Sequence, residues 1–143
     1  MIFVKMVASF FFVGYAPWAP GTFGSFAACL LIRPCQDFLP FLTLGLSIVG
    51  LLICAPAQKA FGRSDPSRFV LDEVCGMLLG VLWLPPSPGI LISAFLLFRA
   101  LDIWKPWPIS WCERRPHPQS IMWDDLAAGV VVNLLLQAIV RFL

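Results

Sequence analysis

The chain has 143 residues, 59% of them apolar and only 13% charged, where a soluble domain carries about 25%. Its net charge of +2 comes from basic residues that form no run, which excludes a nucleic-acid-binding face. The composition is that of an integral membrane protein, and the length that of one domain covering 1–143.

In chain order, residues 1–13 are apolar around Lys5 and predict a short helix in or near a membrane interface. The stretch has the early cation and apolar run of a signal peptide but lacks a small-x-small cleavage site, so it is read as retained. Gly14–Ser25 is rich in Gly and Pro, a loop ending at a helix start with Thr22 or Ser25 as N-cap. Phe26–Ile32 is a short apolar arm stopped by Arg33-Pro34, and 38–57 is the first run of about 20 residues, enough to span. A charged loop follows, then a helix over 67–84 with caps among Ser64–Ser67 and with Asp72 and Glu73 in its first two turns. Pro85, Pro86 and Pro88 make a sharp turn, and the next helix, 90–104, must stop near Pro106 and Pro108. The last span is 126–143, opened by Asp124 and Asp125, which a helix dipole would stabilise there.

Drawn as hairpins, these segments form an all-α bundle with the polar stretches 14–25, 58–73 and 99–125 on one side. That side holds Lys59, Arg63, Arg68, Arg99, Lys105, Arg114 and Arg115; the other holds Arg33 and Arg141. The asymmetry places the polar side in the cytoplasm. The arms 24–33 and 74–84 are short for a bilayer about 30 Å thick. No internal repeat is present, and the five cysteines form no C-x-x-C and read as small hydrophobes.

Residues 98–129 concentrate the charge: Asp102, Glu113, Asp124 and Asp125 with Arg99, Lys105, Arg114 and Arg115. A solvated loop at the membrane edge would explain some of this, but acids at membrane depth are costly and usually functional. Asp72, Glu73, Asp102, Asp124 and Asp125 all fall at the polar ends of apolar segments, with Asp65 nearby in a loop. Gathered, they repel unless a cation neutralises them. Oxygen-only ligands suit Mg²⁺ or Mn²⁺, and the single histidine, His117, reads as a loop residue rather than a zinc ligand. Arg99 and Asp102 are i, i+3 on one helix face, and Lys105 is three further on, placed to pair with Asp102 or to bind a phosphate. Gly21-Thr22 before a helix start offers backbone N–H groups to an anion. Metal, cations and an anion nest together indicate phosphoryl chemistry. The chain lacks a cysteine-phosphatase C-x₅-R, a D-x-D, a Lys seven residues before Arg-Pro, a P-loop and a G-x-S-x-G.

Four strings, APGTFGS at 19–25, DPSRFVLDEVCGM at 65–77, FRALDIWKPWPI at 98–109 and IMWDDLAAG at 121–129, resemble the phosphatidylglycerophosphatase A family, in order and over nearly the whole chain. The resemblance implies a compact helical membrane bundle in the bacterial inner membrane. It implies a Mg²⁺-dependent enzyme that removes the terminal phosphate of phosphatidylglycerol phosphate, leaving phosphatidylglycerol. On that reading Asp72, Glu73, Asp124 and Asp125 hold one or two Mg²⁺, with Asp72 and Asp125 counted also among the catalytic groups. Asp102 is a further ligand or orients water. Lys105 neutralises the phosphate with Arg99 in support, and Gly21 and Thr22 close the anion site. Either a water activated by the metal or a carboxylate is the nucleophile. The chain departs from the family at 113–122, ERRPHPQSIM, where Pro116 and Pro118 stand in place of a Gly-rich turn. The rival reading is a small cation-binding transporter or channel subunit, which predicts acids near mid-span and a paired repeat. A non-catalytic scaffold would leave the acids unexplained.

Overall fold

The computed structural model describes residues 1–143, an all-helical chain without strands. Its helices are α1 (Ile2–Ala8), α2 (Pro20–Ile32), α3 (Leu39–Phe61), α4 (Leu71–Gly80), α5 (Pro88–Trp104), α6 (Ile109–Glu113) and α7 (Ser120–Phe142). Short 3₁₀ turns occupy Val13–Tyr15 and Gln36–Phe38.

The organising helix is one of the shortest. Eight of the ten residues of α4 are buried, and α2, α3, α5 and α7 all pack on it. Beyond Asp72 and Glu73 it is apolar on all sides, as befits a helix at the centre of a bundle. The largest contact is with α7, whose inward face presents Ile121, Asp125, Ala128, Val132 and Leu136 at helical spacing. At the far end of α4, Asn133 Nδ2 of α7 donates to the Leu82 carbonyl at 2.9 Å and to the Gly80 carbonyl at 3.3 Å. These bonds satisfy carbonyls that the end of α4 leaves without helical partners. The outer faces of α3 and α7 carry exposed Phe41, Leu44, Leu52, Leu134 and Ile139. Exposed apolar surface on this scale is compatible with a membrane location. α3, with the turn before it, and α7 are the two helices long and apolar enough to cross a bilayer, and they indicate a membrane protein. α2, α4 and α5 are shorter, with 13, 10 and 17 residues.

Several element boundaries differ from the sequence expectation. The first helix ends at Ala8, and Phe10, Phe11 and Phe12 have positive φ, so 1–13 is not one helix. α2 begins at Pro20, whose ring pre-sets φ for a first helical turn. Thr22 and Ser25 therefore lie inside it and are not caps; the Ser25 hydroxyl instead donates to the Gly21 carbonyl at 3.0 Å. The helix expected from 67 starts at Leu71, because the Val70 N–H donates across to the Ala8 carbonyl at 3.0 Å and holds the preceding residues out of helix. The final helix starts at Ser120, six residues before the expected 126, so Asp124 and Asp125 lie in its second turn. The end of α5 at Trp104 agrees, with Lys105 left-handed at φ 50°.

Candidate active site

The acids meet because α4 and α7 cross at glycine. A Cβ added to Gly76 would stand 2.6 Å from the Asp125 carbonyl oxygen and the Phe98 ring, so only glycine lets the two backbones approach this closely. Asp72 lies one turn before Gly76, and Asp125 one turn before Gly129, which faces Gly76. Carboxylate oxygens of Asp72, Asp124 and Asp125 consequently lie within 4.8 Å of one another. All three residues are buried, at 7%, 6% and 2% exposure.

Such a cluster is costly when bare. Burial, then the charges of Glu73 and Asp125, push the Asp72 carboxyl well above its ordinary range. Local hydrogen bonds relieve little of this. Asp72 Oδ1 accepts from the Glu73 N–H at 2.9 Å, and Asp124 Oδ1 from the Asp125 N–H at 2.9 Å. Asp125 Oδ1 and Glu73 Oε2 are buried with no partner. Buried oxygens are normally satisfied, so one orphaned carboxylate oxygen within the three-acid cluster and another on the adjacent Glu73 fit a hard divalent cation.

Cations stand among the acids. Lys105 Nζ lies 2.7 Å from Glu113 Oε1 and 3.1 Å from Asp124 Oδ2. Burial lowers its pKa, but Glu113 and Asp124 outweigh that and raise it, so it is an ammonium. Arg99 Nη1 lies 2.6 Å from Asp102 Oδ2, the i, i+3 pair on α5. Asp102 is thus held by Arg99, and Lys105 turns to Glu113 and Asp124. Gly21 closes the floor: a Cβ there would overlap the Glu73 carboxylate and stand 3.2 Å from Arg99 Nη1.

These groups share one cleft of about 750 Å³. Gly21, Asp72, Glu73, Arg99, Asp102, Lys105, Asp124 and Asp125 all line it. Thr22 is not on its wall, and the Thr22 N–H is already donated to the Ala19 carbonyl at 2.9 Å. Asp65 and His117 reach the wall from their loops. Glu113 and Arg115, named only as charges of the 98–129 stretch and given no site role, line it too, as does Gln58. For Glu113 the signals were its place in the charge-rich stretch and its position across the Pro106–Pro108 turn from Lys105, and α6 brings the two together. A polar cleft with clustered acids, an ammonium and a guanidinium has the parts needed to hold a phosphate monoester beside a cation.

The profile of the family described as Phosphatidylglycerophosphatase A matches residues 6–140. The chain is 38% identical to the Phosphatidylglycerophosphatase A of Escherichia coli K12, over 82% of this chain and 72% of that one. It is 31% identical to the protein of that name from Haemophilus influenzae, over 95% and 88% of the two chains. It is also 30% identical to a Putative phosphatidylinositol-3-phosphatase of Bacteroides thetaiotaomicron, over 96% and 92%. No solved structure matches. With the family profile running almost end to end and the four strings converging on one cleft, the chain belongs to the phosphatidylglycerophosphatase A family.

Proposed function

We propose that the chain is a phosphoric monoester hydrolase that removes the terminal phosphate of phosphatidylglycerol phosphate, with Mg²⁺, at the cytoplasmic face of a bacterial inner membrane. The observation that carries it is the buried trio Asp72, Asp124 and Asp125 in one cleft with Lys105, which is paired to Asp124. Family membership supports the substrate. The basic asymmetry between the two ends of the bundle supports the cytoplasmic orientation.

Asp72, Asp124 and Asp125 would hold Mg²⁺, with the unpartnered Glu73 Oε2 as a further donor. Mg²⁺, when bound, supplies Lewis-acid polarisation of phosphoryl oxygens and activation of water. Lys105 places its ammonium against the incoming phosphate, where charge develops as the ester bond breaks. Arg99 holds the Asp102 carboxylate in one orientation, which lets Asp102 accept a proton from an attacking water. Gly21 leaves the room in which the Glu73 carboxylate and the Arg99 guanidinium sit side by side.

The transporter reading is weaker, since the acids cluster at one end of α4 and α7 rather than at mid-span. A substrate panel tests the proposal. Purified protein in mixed micelles should release phosphate from phosphatidylglycerol phosphate in preference to phosphatidylinositol 3-phosphate and phosphatidic acid. Faster release from the inositol lipid would reassign the substrate, and release from none would sink the hydrolase reading.

A further inference from the structure

Two further cavities adjoin one another beside the acid cleft. The first, about 460 Å³, shares Arg115, His117 and Ser120 with the cleft and is walled by Trp111 and Trp123. The second, about 410 Å³, shares Cys112 and Trp123 with the first and is mainly apolar. One of its walls is α7, where Trp123, Leu126, Ala127 and Val130 recur at i, i+3, i+4, i+7. The other is α3, where Pro40, Thr43, Leu44 and Ser47 recur at the same spacing. Two helix faces therefore look at each other across a groove that runs down α7 for about 10 Å from Trp123 to Val130. Taken in order, the three adjoining spaces make a track whose walls grade from carboxylates, through an arginine among tryptophans, to aliphatic side chains.

Arg115 stands at the first junction. Its guanidinium stacks over the Trp111 ring, 3.9 Å from the centroid, and it takes part in none of the three ion pairs of the chain. Stacking orients an arginine while leaving its edge N–H groups to bind an anion, and a phosphodiester fits that fork. The substrate proposed above has a group for each part: a terminal phosphate, a phosphodiester a glycerol away, and a hydrocarbon chain.

We propose that the track seats one glycerophospholipid molecule, with its phosphomonoester in the acid cleft, its phosphodiester at Arg115, and one acyl chain in the α3–α7 groove. This rests on the phosphatase reading above and deepens it: Arg115 and the groove select a lipid phosphate over a free one. Its place in this series of adjoining spaces, which share wall residues in turn, distinguishes the groove from the rest of the exposed apolar surface.

The experiment compares diacyl phosphatidylglycerol phosphate with its deacylated, water-soluble headgroup, and adds photolabelling by the same lipid carrying a diazirine in one acyl chain. Wild type should prefer the diacyl substrate, and Ala127→Phe and Val130→Trp should each cut that preference tenfold or more. Arg115→Gln should raise KM more than it lowers kcat. Labelling should fall on the facing residues of α3 and α7, suppressed by excess phosphatidylglycerol phosphate and not by phosphatidylcholine of the same chains. An unchanged preference in folded groove variants, or equal suppression by phosphatidylcholine, overturns the proposal and leaves the groove filled by bulk bilayer lipid only. The labelling result decides even if a variant does not fold. Release of phosphate from neither substrate by wild type counts against the phosphatase reading instead, with the track still judged by the labelling.

Discussion

Gly129 lies so close to Gly76 that a Cβ added to it would stand 3.1 Å from the Gly76 α-carbon and overlap the Gly76 carbonyl. This one approach sets the distance between α4 and α7, and so the distance between Asp72 on one helix and Asp124 and Asp125 on the other. Without it the three carboxylates would not reach one ion.

Gly129→Ala should therefore act on stability and activity together. The added methyl meets backbone, which cannot turn aside as a flexible side chain can. Overpacking of this kind costs about 1–3 kcal/mol. Thermal unfolding in detergent should show the loss, and turnover should fall at least tenfold as the acids separate. Wild-type turnover in a folded Gly129→Ala protein would mean that the spacing is not needed.

Gly21→Ala probes the other wall. Its methyl would overlap the Glu73 carboxylate and press on Arg99 Nη1, with little apolar packing disturbed. The expected outcome is a loss of turnover of about tenfold or more, the scale of a misplaced catalytic group, with a small change in unfolding temperature. A large drop in unfolding temperature with normal specific activity would make the Gly21 contact structural.

The acid trio predicts an opposite response of stability with and without metal. In chelator-treated protein, Asp125→Asn removes a buried carboxyl crowded against Asp72 and Asp124, so it should unfold at or above the wild-type temperature. Adding Mg²⁺ should stabilise wild type, by about 2.7 kcal/mol at a hundredfold excess over Kd, and should leave Asp125→Asn nearly unmoved. Equal stabilisation of both would remove Asp125 from the ligand set.

Lys105→Met separates a structural ammonium from one aimed at phosphate. Its partner Glu113 is exposed and can turn to water, and buried Asp124 would keep the Mg²⁺ of the proposed site as its counter-charge. Turnover should fall by about a hundredfold, as when one charge-stabilising donor is lost, while the unfolding temperature changes little. Lys105→Arg should recover part of the rate. A Lys105→Met protein with most of its activity and a much lower unfolding temperature would assign Lys105 to the scaffold.

The helical class and the residues of the cleft were legible because apolar runs and the few charges separate so sharply along this chain. Asp72, Glu73, Asp102 and the Asp124–Asp125 pair stand out where nearly everything else is apolar. What pattern could not reach was set by contacts distant in sequence. The start of α4 depends on a bond from Val70 to Ala8, and the early start of α7 follows from burying Ile121 and Met122 beneath it. The partner of Lys105 was hidden for a related reason. Helical spacing points it at Asp102, but its left-handed backbone carries it off the face of α5 toward Glu113 and Asp124. Thr22 missed the cleft because α2 begins two residues before it, which commits its N–H to the first turn.

The central claim is that the clustered acids hold a divalent cation for hydrolysis of a lipid phosphate monoester. Its most direct test is phosphate release from phosphatidylglycerol phosphate by the purified, chelator-treated protein during titration with Mg²⁺. The account predicts no release without metal, saturable release on adding Mg²⁺, and no such recovery in Asp72→Asn. Full phosphate release in the presence of chelator, or wild-type recovery by Asp72→Asn, would contradict it.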